Sequence, residues 1–118
     1  MGAFDKTTFT DHGDIRVLHV PAELEVYTAP SLREASVNAV NDGRYHLLVD
    51  LSQTTFIDST GWGVLVGMRN RVGRYGGTMR LAGPISGGVN SGLKITGLAN
   101  VFEIVGSVEV AIGAGDEG

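Results

Sequence analysis

Apolar positions along the 118-residue chain change period several times, and each change marks an element. Ile15-Arg16-Val17-Leu18-His19-Val20 has the composition of a strand, closed by Pro21, which cannot donate to a hydrogen-bonded ladder. His19 alternates with Leu18 and Val20 and is expected on the opposite side from them, in a structural role. Residues 1–14 are polar, with a short edge strand expected around residues 7–10. Leu32, Ala35, Ala39 and Val40 recur at helical spacing after Thr28-Ala29-Pro30. Thr28 is suited to cap that helix, with Ser31 and Glu34 as a second possible capping box and Asn41-Asp42-Gly43 as its end.

His46-Leu47-Leu48-Val49-Asp50-Leu51 is apolar without clean alternation, as in a central strand covered on both faces. A long helix is predicted from about residue 60 to 75, its apolar side being Val64, Leu65, Met68, Val72 and Tyr75, and Gly76-Gly77 its end. Thr78-Met79-Arg80-Leu81-Ala82 is the next strand. Residues 83–88 form a turn, and a weaker helix follows through Val89 and Leu93. Residues 100–104 fit either a helical turn or a strand. Val108-Glu109-Val110-Ala111-Ile112 alternates and predicts a last strand, with a polar tail over residues 113–118. Strands alternating with helices through short connections define an α/β domain.

Composition narrows the function. Hydrophobic residues at 42% and charged residues at 19% are a globular mixture, and 118 residues suffice for one core. The net charge is -4, and residues 1–59 carry four basic and nine acidic side chains. An acidic chain without a basic stripe argues against binding a phosphate backbone, so no direct nucleic-acid partner is expected. Arg69, Arg71, Arg74 and Arg80 read as a solvated helix face and its flank, with docking of an acidic partner as the alternative. The absence of cysteine excludes disulfides and thiolate chemistry. Without a signal-like start or an 18-residue apolar run, a cytoplasmic protein with no membrane partner is expected.

Catalytic and cofactor motifs fail on inspection. Gly61-Trp62-Gly63 with Gly67 has the wrong spacing for a dinucleotide fingerprint, and close helix packing is the expected reason for Gly63 and Gly67. Residues 83–88 lack the Gly-Lys-Ser/Thr of a phosphate-binding loop, and Ile57 replaces the first glycine of a nucleophile elbow around Ser59. Glu23 and Glu25 form a carboxylate pair with no evident partner of opposed pKa. No enzyme activity, cofactor or metal is expected.

Ser59, in Asp58-Ser59-Thr60-Gly61, stands at the mouth of the long helix. Its hydroxyl is placed to cap free N–H groups, and the same position tolerates a phosphate, which the helix N-terminus favours. Trp62 reads either as a core residue or as an exposed interface anchor.

The segment Phe56-Ile57-Asp58-Ser59-Thr60-Gly61-Trp62-Gly63-Val64-Leu65-Val66 resembles the STAS-domain family, specifically the bacterial anti-sigma factor antagonists. Glu23-Leu24-Glu25, Tyr27-Thr28-Ala29-Pro30, Leu48-Val49-Asp50-Leu51-Ser52, Leu81-Ala82-Gly83-Pro84 and Thr96-Gly97-Leu98 continue the likeness, over roughly residues 15–112. That span is expected to be the STAS-like domain, after an N-terminal segment 1–14 and before the tail 113–118. The resemblance implies a mixed central sheet with helices packed against it. It also implies binding to an anti-sigma factor that is itself a serine kinase, phosphorylation of Ser59 to end that binding, and a serine phosphatase to restore it. The implied contact surface is Glu23, Glu25, Asp58, Ser59, Thr60, Gly61 and Trp62, on a chain monomeric by itself. Three positions depart from the family: Glu25 stands for the usual aspartate, Thr60 for a common serine and Trp62 for leucine. Two other functions fit the residues, a scaffolding STAS module in a larger assembly and a small-ligand or nucleotide-binding domain.

Overall fold

A computed structural model describes residues 6–117, with residues 1–5 of the expected N-terminal segment and residue 118 of the tail outside it. In chain order the elements are β1 (Thr8–His12), β2 (Ile15–His19), β3 (Glu23–Leu24), α1 (Ala29–Asn41), β4 (His46–Asp50), β5 (Phe56–Ile57) and α2 (Ser59–Gly73). Then come β6 (Thr78–Ala82), α3 (Gly87–Ile95), a 3-10 turn at Leu98–Asn100, β7 (Glu103–Val105) and α4 (Val108–Glu117). Five strands form a mixed sheet in the order β1-β2-β4-β6-β7, antiparallel only between β1 and β2. β3 and β5 pair separately as a short parallel ribbon.

The central strand behaves as its apolar run requires. Leu47 and Val49 join the main core with Leu18, Leu81 and the inner faces of α1, α2 and α3, while Leu48 meets Val17 and Ala82 on the other face. That second face is covered by α4 through Val108, Ala111 and Ile112. The last strand expected over residues 108–112 is therefore a helix. Positions 108, 111 and 112 satisfy the helical spacing as well as an alternation does, and Val110, which a strand would place with Val108, is exposed. Ser107 Oγ accepts from Val110 N at 3.0 Å and starts the helix. Residues 103–105 already occupy the sheet edge, and α4 runs on through the expected tail to Glu117.

The domain also begins earlier than residue 15. β1 pairs with the whole of β2, from Thr8 opposite His19 to His12 opposite Ile15. Arg16 locks this hairpin to α1: its guanidinium donates to Asp11 at 2.8 and 3.0 Å and to Asp42 at 2.8 Å, and lies 4.0 Å from the Phe9 ring centroid. Arg16 is only 5% exposed, so the ion pairs keep a buried charge compensated.

The hydrogen bond from Arg16 holds the Asp11 carboxyl below its ordinary value of 3.8. A carboxylate depressed in the folded state stabilises the fold above its unfolded-state pKa and loses that contribution as pH falls through the folded value. The wild-type protein is thus expected to lose its stability advantage over Asp11→Asn as pH falls from neutrality through the ordinary carboxylate range and below it. Denaturant unfolding of both proteins across that range checks it; a constant gap would show that the ionised pair contributes nothing.

Close packing dictates glycine at some positions but not at others. An alanine methyl at Gly77 would overlap the Tyr45 carbonyl oxygen. At Gly63 and Gly67, by contrast, a methyl meets nothing within 4 Å, so helix packing is not the reason for them. Each costs roughly 1 kcal/mol against alanine in a helix interior. Tyr75, expected on the buried side of the long helix, lies beyond the end of α2, is 55% exposed and stacks on Tyr45 at 5.0 Å.

Candidate partner-binding site at the Asp58 turn

Parallel strands β2, β4 and β6 end at one edge of the sheet, so the loops that follow them gather there with the N-termini of α1 and α2. The first loop carries Glu23 to Thr28 and the second carries Phe56 to Gly61. Their ribbon sets Glu23 opposite Phe56 and Leu24 opposite Ile57, and Thr55 N donates to Ala22 O at 2.8 Å. Two segments far apart in sequence thereby become one surface.

Asp58 fastens them. Its backbone N donates to Leu24 O at 3.1 Å, its Oδ1 accepts from Gly61 N at 2.9 Å, and its Oδ2 accepts from Val26 N at 3.2 Å. With extended backbone at φ -92° and ψ -177°, Asp58 is the N-cap of α2. This corrects the expectation for Ser59, which is instead the first helical residue. Its side chain is exposed and makes no hydrogen bond to another described residue. A cap at Asp58 releases the Ser59 hydroxyl for outside chemistry.

Asp58→Ala is expected to cost about 1–2 kcal/mol, the upper part of the N-cap range because a second backbone donor loses its partner too. Asp58→Asn, which keeps an acceptor oxygen for Gly61, should lose less. Urea unfolding distinguishes them, and an alanine variant within about 0.5 kcal/mol of wild type would contradict the capping role.

Gly61 is required by the same junction. An added Cβ would lie 2.6 Å from Leu24 O and 2.8 Å from Ile57 Cγ2, so α2 can approach the ribbon only without a side chain there. Glu25 is engaged by its own loop: its Oε1 accepts from Tyr27 N at 3.0 Å and Thr28 N at 3.1 Å. Thr28 does not cap α1 with its side chain, because its Oγ1 accepts from Glu25 N at 2.9 Å and donates to Glu23 O at 2.7 Å. Ser31 likewise accepts from Thr7 N at 3.0 Å and closes no box with Glu34.

Trp62 belongs to the core. It is 7% exposed, and α3 passes so close that a methyl on Gly92 would come within 2.8 Å of Trp62 Cζ2. Of the two alternatives for this ring, the anchor at an interface is the one that fails. The exposed members of the expected surface are Glu23, Ser59 and Thr60.

Three apolar side chains that the sequence pattern does not single out border them: Val26 at 53% exposure, Tyr27 at 86% and Phe56 at 52%. Phe56 alternates with the buried Ile57 on β5, and Val26 and Tyr27 follow the buried Leu24 in the loop before α1. A patch of this kind beside a polar rim is the ordinary anatomy of a protein interface.

No cluster of metal-ligating side chains occurs among the described residues. His19 bridges Asp50 Oδ2 at 2.8 Å and Thr10 Oγ1 at 3.1 Å, tying three neighbouring strands together on the face opposite the main core. At the glycine-rich start of α2, the Gly61 N–H that a nucleotide phosphate would need is already bound by a carboxylate. No described helix is long and apolar enough to cross a membrane.

These features agree with comparisons to known proteins. The STAS-domain family model matches residues 6–111, and the chain belongs to that family. Within it the likeness is to anti-sigma factor antagonists. The anti-sigma-B factor antagonist of Listeria monocytogenes is 38% identical over 96 residues, 80% of each chain, and that of Bacillus subtilis is 35% identical over 94 residues, 80% of this chain and 84% of the relative. A solved anti-sigma factor antagonist from Mycobacterium paratuberculosis superposes with a TM-score of 0.80 at 27% identity, over 97% of both chains. The chain is accordingly a regulatory binding module and not a catalyst.

Proposed function

We propose that the unmodified chain binds an anti-sigma factor that is also a serine kinase, and that phosphoryl transfer from that kinase to Ser59 ends the binding. A serine phosphatase resets the cycle, and the need for ATP makes the cytoplasm its setting. The observation that carries this reading is the free Ser59 hydroxyl at the start of α2, held beside Asp58 and the exposed Val26, Tyr27 and Phe56.

A phosphate there brings about -1.5 to -2 charges. Asp58 cannot turn away to relieve the repulsion, because both of its carboxylate oxygens hold backbone N–H groups. The apolar neighbours gain nothing from a dianion, and a partner surface fitted to a neutral hydroxyl would have to desolvate it. The fold itself is spared, since negative charge at a helix N-terminus is tolerated.

Incubation with ATP and each anti-sigma kinase of the source organism, followed by peptide mass mapping, tests the assignment. The expected result is one phosphoryl group on Ser59 and loss of the kinase complex. A chain that no such kinase binds or modifies would refute it.

A further inference from the structure

Beside the Ser59 turn, α1 and α2 leave an open groove of about 220 Å³ lined by Arg33, Thr60, Gly63, Val64, Gly67 and Arg71. Its floor is made by Gly63 and Gly67, whose Cβ positions face empty space, so packing does not require glycine at either. Local rules broken without an internal reason concentrate at functional surfaces. Its walls are cationic: Arg71 Nη1 donates to the buried Ser36 Oγ at 3.0 Å, which fixes that guanidinium in place. Among the described residues only Arg16 and Arg44 of the arginines are in ion pairs; Arg69 and Arg74 share a groove with Glu103, and Arg80 one with Asp14 and Glu103, whereas no acidic side chain lines the groove that holds Arg33 and Arg71. In a chain of net charge -4, two uncompensated arginines facing one groove stand out.

We infer that this groove seats an acidic segment of the anti-sigma partner, a deepening of the function proposed above that rests on it. Carboxylates on that segment pair with Arg33 and Arg71, and the bare glycine floor lets its backbone approach α2 closely. Thr60 at the end of the groove makes it continuous with Ser59. A phosphate on Ser59 then repels the carboxylates docked alongside, so the groove supplies the charge against which the modification acts.

The chain has no cysteine, so Gly67→Cys places one thiol on the groove floor. With the anti-sigma factor that binds the unmodified chain, maleimide labelling of that thiol should slow about tenfold or more, while a thiol at the exposed Asn100 should react unchanged. Arg33→Glu should weaken binding about tenfold or more, with a shallower salt dependence than wild type. Gly67→Ala should raise the melting temperature of the free chain yet weaken the complex, opposite signs that a purely structural glycine would not give. Labelling unchanged in the complex, together with Arg33→Glu binding within about twofold of wild type, would overturn the groove. If Ser59→Asp weakens binding in that same experiment, the failure is confined to the groove. If Ser59→Asp also binds normally, or no anti-sigma factor binds at all, the reading of the Ser59 turn fails with it.

Discussion

Ser59→Asp is expected to bind the anti-sigma partner more than tenfold more weakly than wild type, a loss of at least about 1.4 kcal/mol, whereas Ser59→Ala binds normally and cannot be switched. The cause is local. Ser59 is the first residue of α2, exposed, and adjacent to a carboxylate whose two oxygens are committed to Gly61 N and Val26 N. An aspartate adds one charge to a place that cannot rearrange to dilute it. One charge is less than the phosphate carries, so the variant sets a lower bound on the effect of modification. The fold should survive, because acidic residues are favoured in a helix first turn. Calorimetric titration of both variants decides the matter, with circular dichroism as the control for folding. Equal affinities would remove charge as the basis of the switch.

The largest structural effect is expected at Gly61. In Gly61→Ala the new methyl faces Leu24 O at 2.6 Å, Ile57 Cγ2 at 2.8 Å and Leu24 Cγ at 2.9 Å, and both neighbours are buried. Backbone cannot give way as the tip of a flexible side chain does, so α2 must move off the ribbon. Overpacking of this kind costs about 3 kcal/mol. At roughly 4 °C per kcal/mol the melting temperature should fall by about 10 °C or more. Gly63→Ala is the internal control, since it adds the same methyl to the same helix where nothing stands within 4 Å. Two variants two residues apart should therefore move in opposite directions. A Gly61→Ala protein as stable as wild type would mean that the ribbon and helix are not in contact as described.

Much of this architecture is legible in the chain because the core strands are short and strongly apolar. Leu47-Leu48-Val49 announces a strand covered on two faces, and the family likeness locates the Asp58 turn. What escapes detection depends on contacts between distant segments. Asp58 and Ser59 are equally good caps on local grounds, and the choice falls to Asp58, whose second oxygen reaches Val26 on another loop. Residues 108–112 match a strand and a helix alike, and the pattern cannot tell that the sheet edge is already filled by β7. Trp62 and Gly92 are paired by α3 packing on α2, so neither alone reports its environment. Gly63 and Gly67 have the look of packing glycines, and only the empty space around them shows otherwise.

The β3–β5 ribbon is two residues long in each strand and shares no ladder with the five-stranded sheet. Leu24 and Ile57 anchor the ribbon in the main core, whereas Glu23, Val26, Tyr27 and Phe56 face outward and take no part in it. On the function proposed above, replacements at these outward positions are expected to change partner choice while leaving the stability of the scaffold nearly untouched. Duplicated copies of such a gene can diverge in allegiance by a few surface substitutions, which makes insulated parallel signalling lines easy to evolve from one fold.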